Sequence, residues 1–181
     1  MSLFFVALLP PQDIQDYATQ VKQHFADTYN ARHAFRSPPH ITLQPPFKWA
    51  DAHISIIEEC LQEFALTTSP LPVTLNGYGA FIPHVIYINV EKAPDLLALQ
   101  AELMAHLENQ LGIVDKVSKT RTFTPHMTVA FKDLKRKSFQ TAWQEFERQE
   151  LHFEFTADKL TLLIHKDGSW HIKSEFLFCK R

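Results

Sequence analysis

Two short stretches of this chain are near copies of each other. Pro39-His40-Ile41-Thr42-Leu43 and Pro125-His126-Met127-Thr128-Val129 share the string Pro-His-x-Thr-apolar at a spacing of 86 residues. From the chain's own composition, such a string is expected on the order of 0.01 times by chance. The repetition therefore points to an internal duplication. In a strand, residues i and i+2 share a face and lie roughly 7 Å apart. His40 and Thr42 thus project together while Ile41 and Leu43 turn into the core, and His126 and Thr128 do the same in front of Met127 and Val129. If the two copies face each other, two imidazoles and two hydroxyls converge. That set suits a tetrahedral phosphate: hydroxyls donate to its oxygens, and imidazoles exchange protons with an entering and a leaving oxygen. An unperturbed pKa near 6.5 gives histidine both protonation states at neutral pH. Because the duplication makes the halves nearly equivalent, the residues themselves do not say which imidazole is the base.

The surrounding pattern supplies the elements that must hold these groups. Residues 3–9 read as a buried first strand, and an amphipathic helix follows from Pro11 to about Tyr29, with Ile14, Ala18, Val21 and Phe25 at helical spacing. Ser37-Pro38-Pro39 fixes an extended entry into the first motif strand, which Pro45-Pro46 are expected to close. Asp51 is expected to cap a second helix carrying Ile54, Ile57, Leu61 and Phe64. A short strand at 73–75, a glycine-containing segment at 76–79 and the strong strand 84–90 come next. Pro94 then opens a third helix that Gly112 ends. The second motif strand, a helix over roughly 134–148 and three strands complete the chain, with Asp167-Gly168 turning the last two into a hairpin. The order is β-α-β-α-β-β-α-β-α-β-β-β. It predicts an α+β fold over 1–181: a single two-lobed domain of pseudo-symmetric lobes, mainly antiparallel sheets facing a central cleft, helices outside.

Composition narrows the class of function. The chain has 181 residues, 18 Lys+Arg against 20 Asp+Glu, and 45% hydrophobic residues, which is the balance of a globular protein and excludes disorder. A net charge of −2 argues against a surface that coats long nucleic acid. Locally the balance differs. From Asp115 to Lys137, seven basic residues (Lys116, Lys119, Arg121, Lys132, Lys135, Arg136, Lys137) stand against Asp115 and Asp133, an excess of +5 around the second motif. Such a rim can steer a phosphate or an RNA end, or can simply be a solvated loop. Arg121 is the preferred single contact, since guanidinium holds phosphate in a fork. Phe47 and Phe81 are candidates for stacking a base. Cys60 and Cys179 are too few for a disulfide framework. The apolar start lacks a basic leader and stops at Pro10-Pro11, so it reads as a strand rather than a signal peptide or a membrane span. A cytoplasmic location is the expectation.

The duplicated His-x-Thr-apolar pattern, on strands of a two-lobed α+β fold, resembles the 2H phosphoesterase superfamily, including bacterial 2′-5′ RNA ligase-like proteins and 2′,3′-cyclic nucleotide phosphodiesterases. The likeness extends over nearly the whole chain, and the stretch from His40 to Phe47 is closest to the smaller bacterial branch. It implies that His40 and His126 are catalytic and that Thr42 and Thr128 bind phosphate. It also implies that His126 is the base and His40 the acid. The implied chemistry is cleavage of a cyclic or 2′-5′ phosphodiester of a nucleotide or RNA end, with no cofactor and no obligatory protein partner.

Other readings are weaker. Ten histidines invite zinc, but there is no His-x-His, no His-Glu-x-x-His and no cysteine pair, so no metal is expected. Neither a Gly-x-Ser-x-Gly nor a glycine-rich nucleotide loop is present. Among the remaining histidines only His84, just before a strong strand, is placed to reach the cleft. A non-catalytic or slow module that retains a nucleotide or RNA-end phosphate is the rival from another class. A non-nucleotide cyclic phosphate is a third candidate ligand.

Overall fold

A computed structural model describes residues 1–179. Its elements run β1 (Ser2–Leu8), α1 (Gln12–Tyr29), β2 (Ile41–Trp49), α2 (Ile54–Leu66), β3 (Leu71–Phe81), β4 (Val85–Val90), α3 (Pro94–Leu111), β5 (His126–Ala130), α4 (Arg136–Phe146), β6 (His152–Ala157), β7 (Lys159–Lys166) and β8 (Ser169–Leu177). This is the order the sequence predicts. The strands form two antiparallel four-stranded sheets, β2-β1-β7-β8 and β5-β4-β3-β6. The sheets are alike in plan: each carries one motif strand at its edge, with an apolar strand beside it. The lobes are not the two halves of the chain, however. The C-terminal hairpin β7–β8 returns to pair with β1 and completes the first sheet.

Alternation in β1 sorts its side chains onto two faces. Phe4, Val6 and Leu8 are fully buried in the main core, while Phe5 and Ala7 lie on the opposite face with Leu163, Leu9 and Trp170. Behind the motifs, Ile41, Leu43, Met127 and Val129 are each at most 1% exposed, as the period of two requires.

Three local expectations differ from the structure. Pro45-Pro46 do not close the first motif strand; β2 continues to Trp49. As an edge strand it tolerates residues without N–H groups, and an extra residue bulges there, between the Val6–Gln44 and Phe4–Phe47 pairs. Asp51 does not cap α2. Its carboxylate takes the Met1 amino group and the Ser2 hydroxyl, and a short 3₁₀ turn, Asp51–His53, precedes the helix. The short strand expected at 73–75 instead runs through residues 76–79 as part of β3, with a bulge between Leu75 and Tyr78 where Gly77 takes φ 68° and donates to the Leu151 carbonyl (2.8 Å). At the Asp167-Gly168 turn both residues have positive φ, as a two-residue hairpin of this kind needs. No helix among the described residues is long and apolar enough to cross a membrane.

Candidate active site

The edge strands β2 and β5 approach each other in the fold. His40, Thr42, His126 and Thr128 all line one cavity of about 550 Å³ between the sheets. That is within the usual range for a small-molecule site. Each motif strand lies at the edge of its sheet, so its outer flank has no ladder partner and the two strands can approach each other there.

Each imidazole is oriented in the same way. The Nδ1 of His40 lies 2.7 Å from the Pro38 carbonyl, and the Nδ1 of His126 lies 2.8 Å from the Thr124 carbonyl. A carbonyl can only accept, so Nδ1 carries the proton, and Nε2 is left as the atom that gives or takes protons in the neutral ring. The proline of each motif puts the preceding residue in extended backbone, which aims these carbonyls. Aromatic rings hold each imidazole in place. Phe5 stands 4.8 Å from His40 between ring centroids, and Phe81 and Tyr87 stand 4.9 and 5.2 Å from His126.

Burial lowers the proton affinity of both. His40 falls from 6.5 to about 4, chiefly through desolvation. The Pro38 hydrogen bond opposes the fall, while the charges of Lys22 and His126 add to it. His126 is lowered by desolvation against the opposing Thr124 bond. Lys22 was not singled out by the sequence, where it sits inside an amphipathic helix. Its ammonium is buried, pushed down to about 8 by that burial, and it donates to the carbonyls of Ala34 and Ser37, each at 2.9 Å. It ties the 3₁₀ turn His33–Arg36 to α1 just ahead of the Pro38 carbonyl.

The other expected contacts divide. Phe81 is 40% exposed and lines the cavity beside His126. Arg121 does not join the four motif groups; it lines an adjoining cavity of about 600 Å³ that shares Thr42, Phe81 and His126 with the first. Phe47 lies in neither cavity. It packs on the core, 6.2 Å from buried Phe4, its ladder partner on β1. His84 is exposed and lines neither cavity. His33, Arg36, His165 and Trp170 do line the first one. His33 and Arg36 come from a 3₁₀ turn that leaves no periodic trace in sequence. His165 and Trp170 flank the β7–β8 turn, and their cleft position depends on that hairpin's return to β1. Among the described residues no group of three His, Cys, Asp or Glu is placed to hold a metal ion.

Two sheets that each present His-x-Thr from an edge strand to a shared cavity define the class. Residues 10–169 match the family model described as the 2′-5′ RNA ligase superfamily, and the chain belongs to that superfamily. Its curated relatives include a protein of Geobacillus sp. (strain WCH70), 31% identical over 95% of this chain and 94% of its own length, and one of Geobacillus kaustophilus, 30% identical over the same shares. Both carry the name "Putative phosphoesterase". Among solved structures, TT0787 of Thermus thermophilus superposes with a TM-score of 0.73 at 18% identity, covering 100% of both chains. Escherichia coli LigT complexed with 3′-AMP superposes at 0.71 with 14% identity, covering 99% of both. At these identities the solved structures speak to the fold, which is the two-sheet α+β architecture expected from the sequence.

Proposed function

We propose that the chain hydrolyses a cyclic (2′,3′ or related) or 2′-5′ phosphodiester of a nucleotide or RNA end through its two motif histidines, without a metal. The observation that carries this reading is the convergence of His40, Thr42, His126 and Thr128 on one cavity. The nucleotide side of the reading is supported by LigT, whose crystal structures hold 3′-AMP, phosphate and ATP.

The substrate phosphorus sits between the imidazoles, with its non-bridging oxygens on the threonine hydroxyls. One neutral Nε2 removes a proton from water as its oxygen forms a bond to phosphorus. The other ring, protonated, gives its proton to the ribose oxygen whose bond to phosphorus breaks, so one proton is taken and one is returned. Family likeness makes His126 the base and His40 the acid. Burial lowers the proton affinity of both rings, so their electrostatics do not divide the roles and a leaving-group comparison does.

Alanine at either histidine should reduce turnover of a 2′,3′-cyclic nucleotide by roughly 10²–10⁴. A nucleoside p-nitrophenyl phosphodiester, whose leaving group needs no proton, separates the roles: loss of the acid is largely tolerated on it, and loss of the base is not. Full activity in His40→Ala or His126→Ala on the cyclic substrate removes that residue from the mechanism. Chelator should leave the wild-type rate unchanged. The rival reading, a module that binds without turnover, would show as a thermal shift with cyclic nucleotides and no product.

A further inference from the structure

The same cavity has a second cationic wall that the His-x-Thr chemistry does not use. His33 and Arg36 reach it from the 3₁₀ turn ahead of β2, and Lys132 reaches it from the residue after Phe131, beyond the end of β5. These three come from different lobes. They are held together by Asp133, whose carboxylate accepts the backbone N–H groups of Arg32 (2.7 Å) and His33 (2.9 Å). Lys132 itself adopts a left-handed backbone, φ 58°, which side chains rarely take, and its ammonium lies 5.6 Å from the Phe131 ring centroid. The Phe131 ring in turn stands edge-on to His33 at 4.8 Å. Neither Arg36 nor Lys132 forms a salt bridge among the described residues, whereas Arg32, Lys119, Lys159 and Lys173 each have a carboxylate within 4 Å. His33 registers both cations: after desolvation, the charges of Lys132 and Arg36 lower its pKa, and Asp133 only partly opposes them. Like charges gathered on one cavity wall repel in the empty site, and an anion between them removes that repulsion.

We propose that His33, Arg36 and Lys132 form a second anion subsite, taking a further phosphate of the substrate beside the one held by the His-x-Thr pairs. This rests on the reading that those pairs hold a nucleotide phosphate. On the 3′-terminal nucleoside of such a substrate, the further phosphate is the one on the 5′ oxygen. It comes either as a terminal phosphomonoester of a mononucleotide or as the next internucleotide linkage of an RNA end. Both sources offer non-bridging oxygens to a guanidinium fork and an ammonium.

The test compares equilibrium binding of adenosine 3′-monophosphate, adenosine 3′,5′-bisphosphate and the dinucleotide ApAp, by calorimetry on the full chain. The bisphosphate should bind at least about tenfold tighter than the monophosphate, the worth of one charge-assisted hydrogen bond. In the doubly substituted R36Q/K132Q protein that ratio should fall to near one. R136Q/K137Q, which likewise removes two positive charges but from residues outside the cavity, should preserve it. A thermal melt confirms that each variant is folded. ApAp binding as tightly as the bisphosphate assigns the subsite to RNA ends, and ApAp binding like the monophosphate assigns it to 5′-phosphorylated mononucleotides. A wild-type ratio near one, a ratio that survives R36Q/K132Q, or no binding of any of the three overturns the subsite. A ratio that behaves as expected in a protein that never turns over a cyclic phosphate leaves the subsite standing and removes the hydrolase reading instead.

Discussion

The depressed proton affinity of His40 and His126 leaves both motif imidazoles neutral in the empty site at pH 7, although the proposed chemistry needs one imidazolium. The substrate must therefore supply the field that keeps a proton in place, and this fixes the direction of the pH dependence. In the free enzyme both groups titrate below 6.5, so kcat/KM should peak on the acid side of pH 6.5 and fall above it as the second ring goes neutral. In the complex, the bound phosphate's charge raises both pKa values, and the alkaline limb of kcat should lie at higher pH than that of kcat/KM. Initial rates from pH 4.5 to 9 test this, and an alkaline limb of kcat/KM lying above that of kcat would contradict it. The same shifts bear on stability. Unfolded histidine takes up a proton near pH 6.5, while folded His40 does so only near 4, so in that window the unfolded chain binds more protons. The stabilising preference for neutral His40 is present above 6.5 and is lost as pH falls toward 4. The Tm should drop across that window, and inorganic phosphate, which favours the charged rings in the folded state, should lessen the drop.

At the level of elements, the motif strands rely on neighbours that do no chemistry, and Gly79 is the clearest. It pairs across the ladder with Tyr87, whose ring crosses directly over it: a Cβ at position 79 would sit 2.4 Å from a Tyr87 ring carbon. Tyr87 in turn contacts His126. Gly79→Ala must therefore displace the ring that seats a catalytic candidate. It should destabilise the fold by about 1–3 kcal/mol, as overpacking does, and should also reduce turnover. Gly79→Ala combined with Tyr87→Leu should recover stability by removing the clash while leaving turnover low, because the contact with His126 is gone. Urea melts and steady-state rates on the two variants check both effects, and a Gly79→Ala protein with wild-type turnover would show that the ring's position is immaterial. This dependency was hidden in the sequence, where residues 76–79 read only as a glycine-containing segment after a short strand. The motifs, the element order and the inward-facing Ile41, Leu43, Met127 and Val129 were legible because strand periodicity is local. What was not legible depends on pairing between distant strands. The continuation of β2 through Pro45-Pro46 requires an edge position, and the use of Asp51 on Met1 and Ser2 requires β1 to lie beside it. The cavity positions of Arg36 and Trp170 likewise depend on which strands meet.

Across the whole molecule, the two lobes interlock rather than simply abut. α1 follows β1 of the first sheet but lies against β5 of the second, and α3 follows β4 of the second sheet but lies against β2 of the first. Each motif strand is thus backed by a helix from the other lobe. The crossing is reinforced by the hydroxyl pair Tyr17–Tyr78 (2.9 Å) between α1 and β3, by Tyr29 of α1 donating to Glu145 of α4, and by Gln100 of α3 donating to the Leu43 carbonyl (3.4 Å). One core cluster accordingly runs through both sheets, from Phe4 and Leu43 to Met127 and Phe146. Neither sheet can lose its packing without stripping a helix from the other, so unfolding should be a single cooperative transition despite the two-lobed plan. The tryptophans provide the probes. Trp49 and Trp170 report on the first sheet, and Trp143, on α4, packs with the second. In variants that retain one tryptophan each, with Phe at the others, the urea midpoints read by fluorescence should shift with overall stability and should coincide, within each variant, with the midpoint read by far-UV circular dichroism. A Trp143 transition separated from the backbone transition of the same protein would mean that the lobes unfold independently. The cavity between them would then be a contact between two domains rather than a site fixed by one shared core.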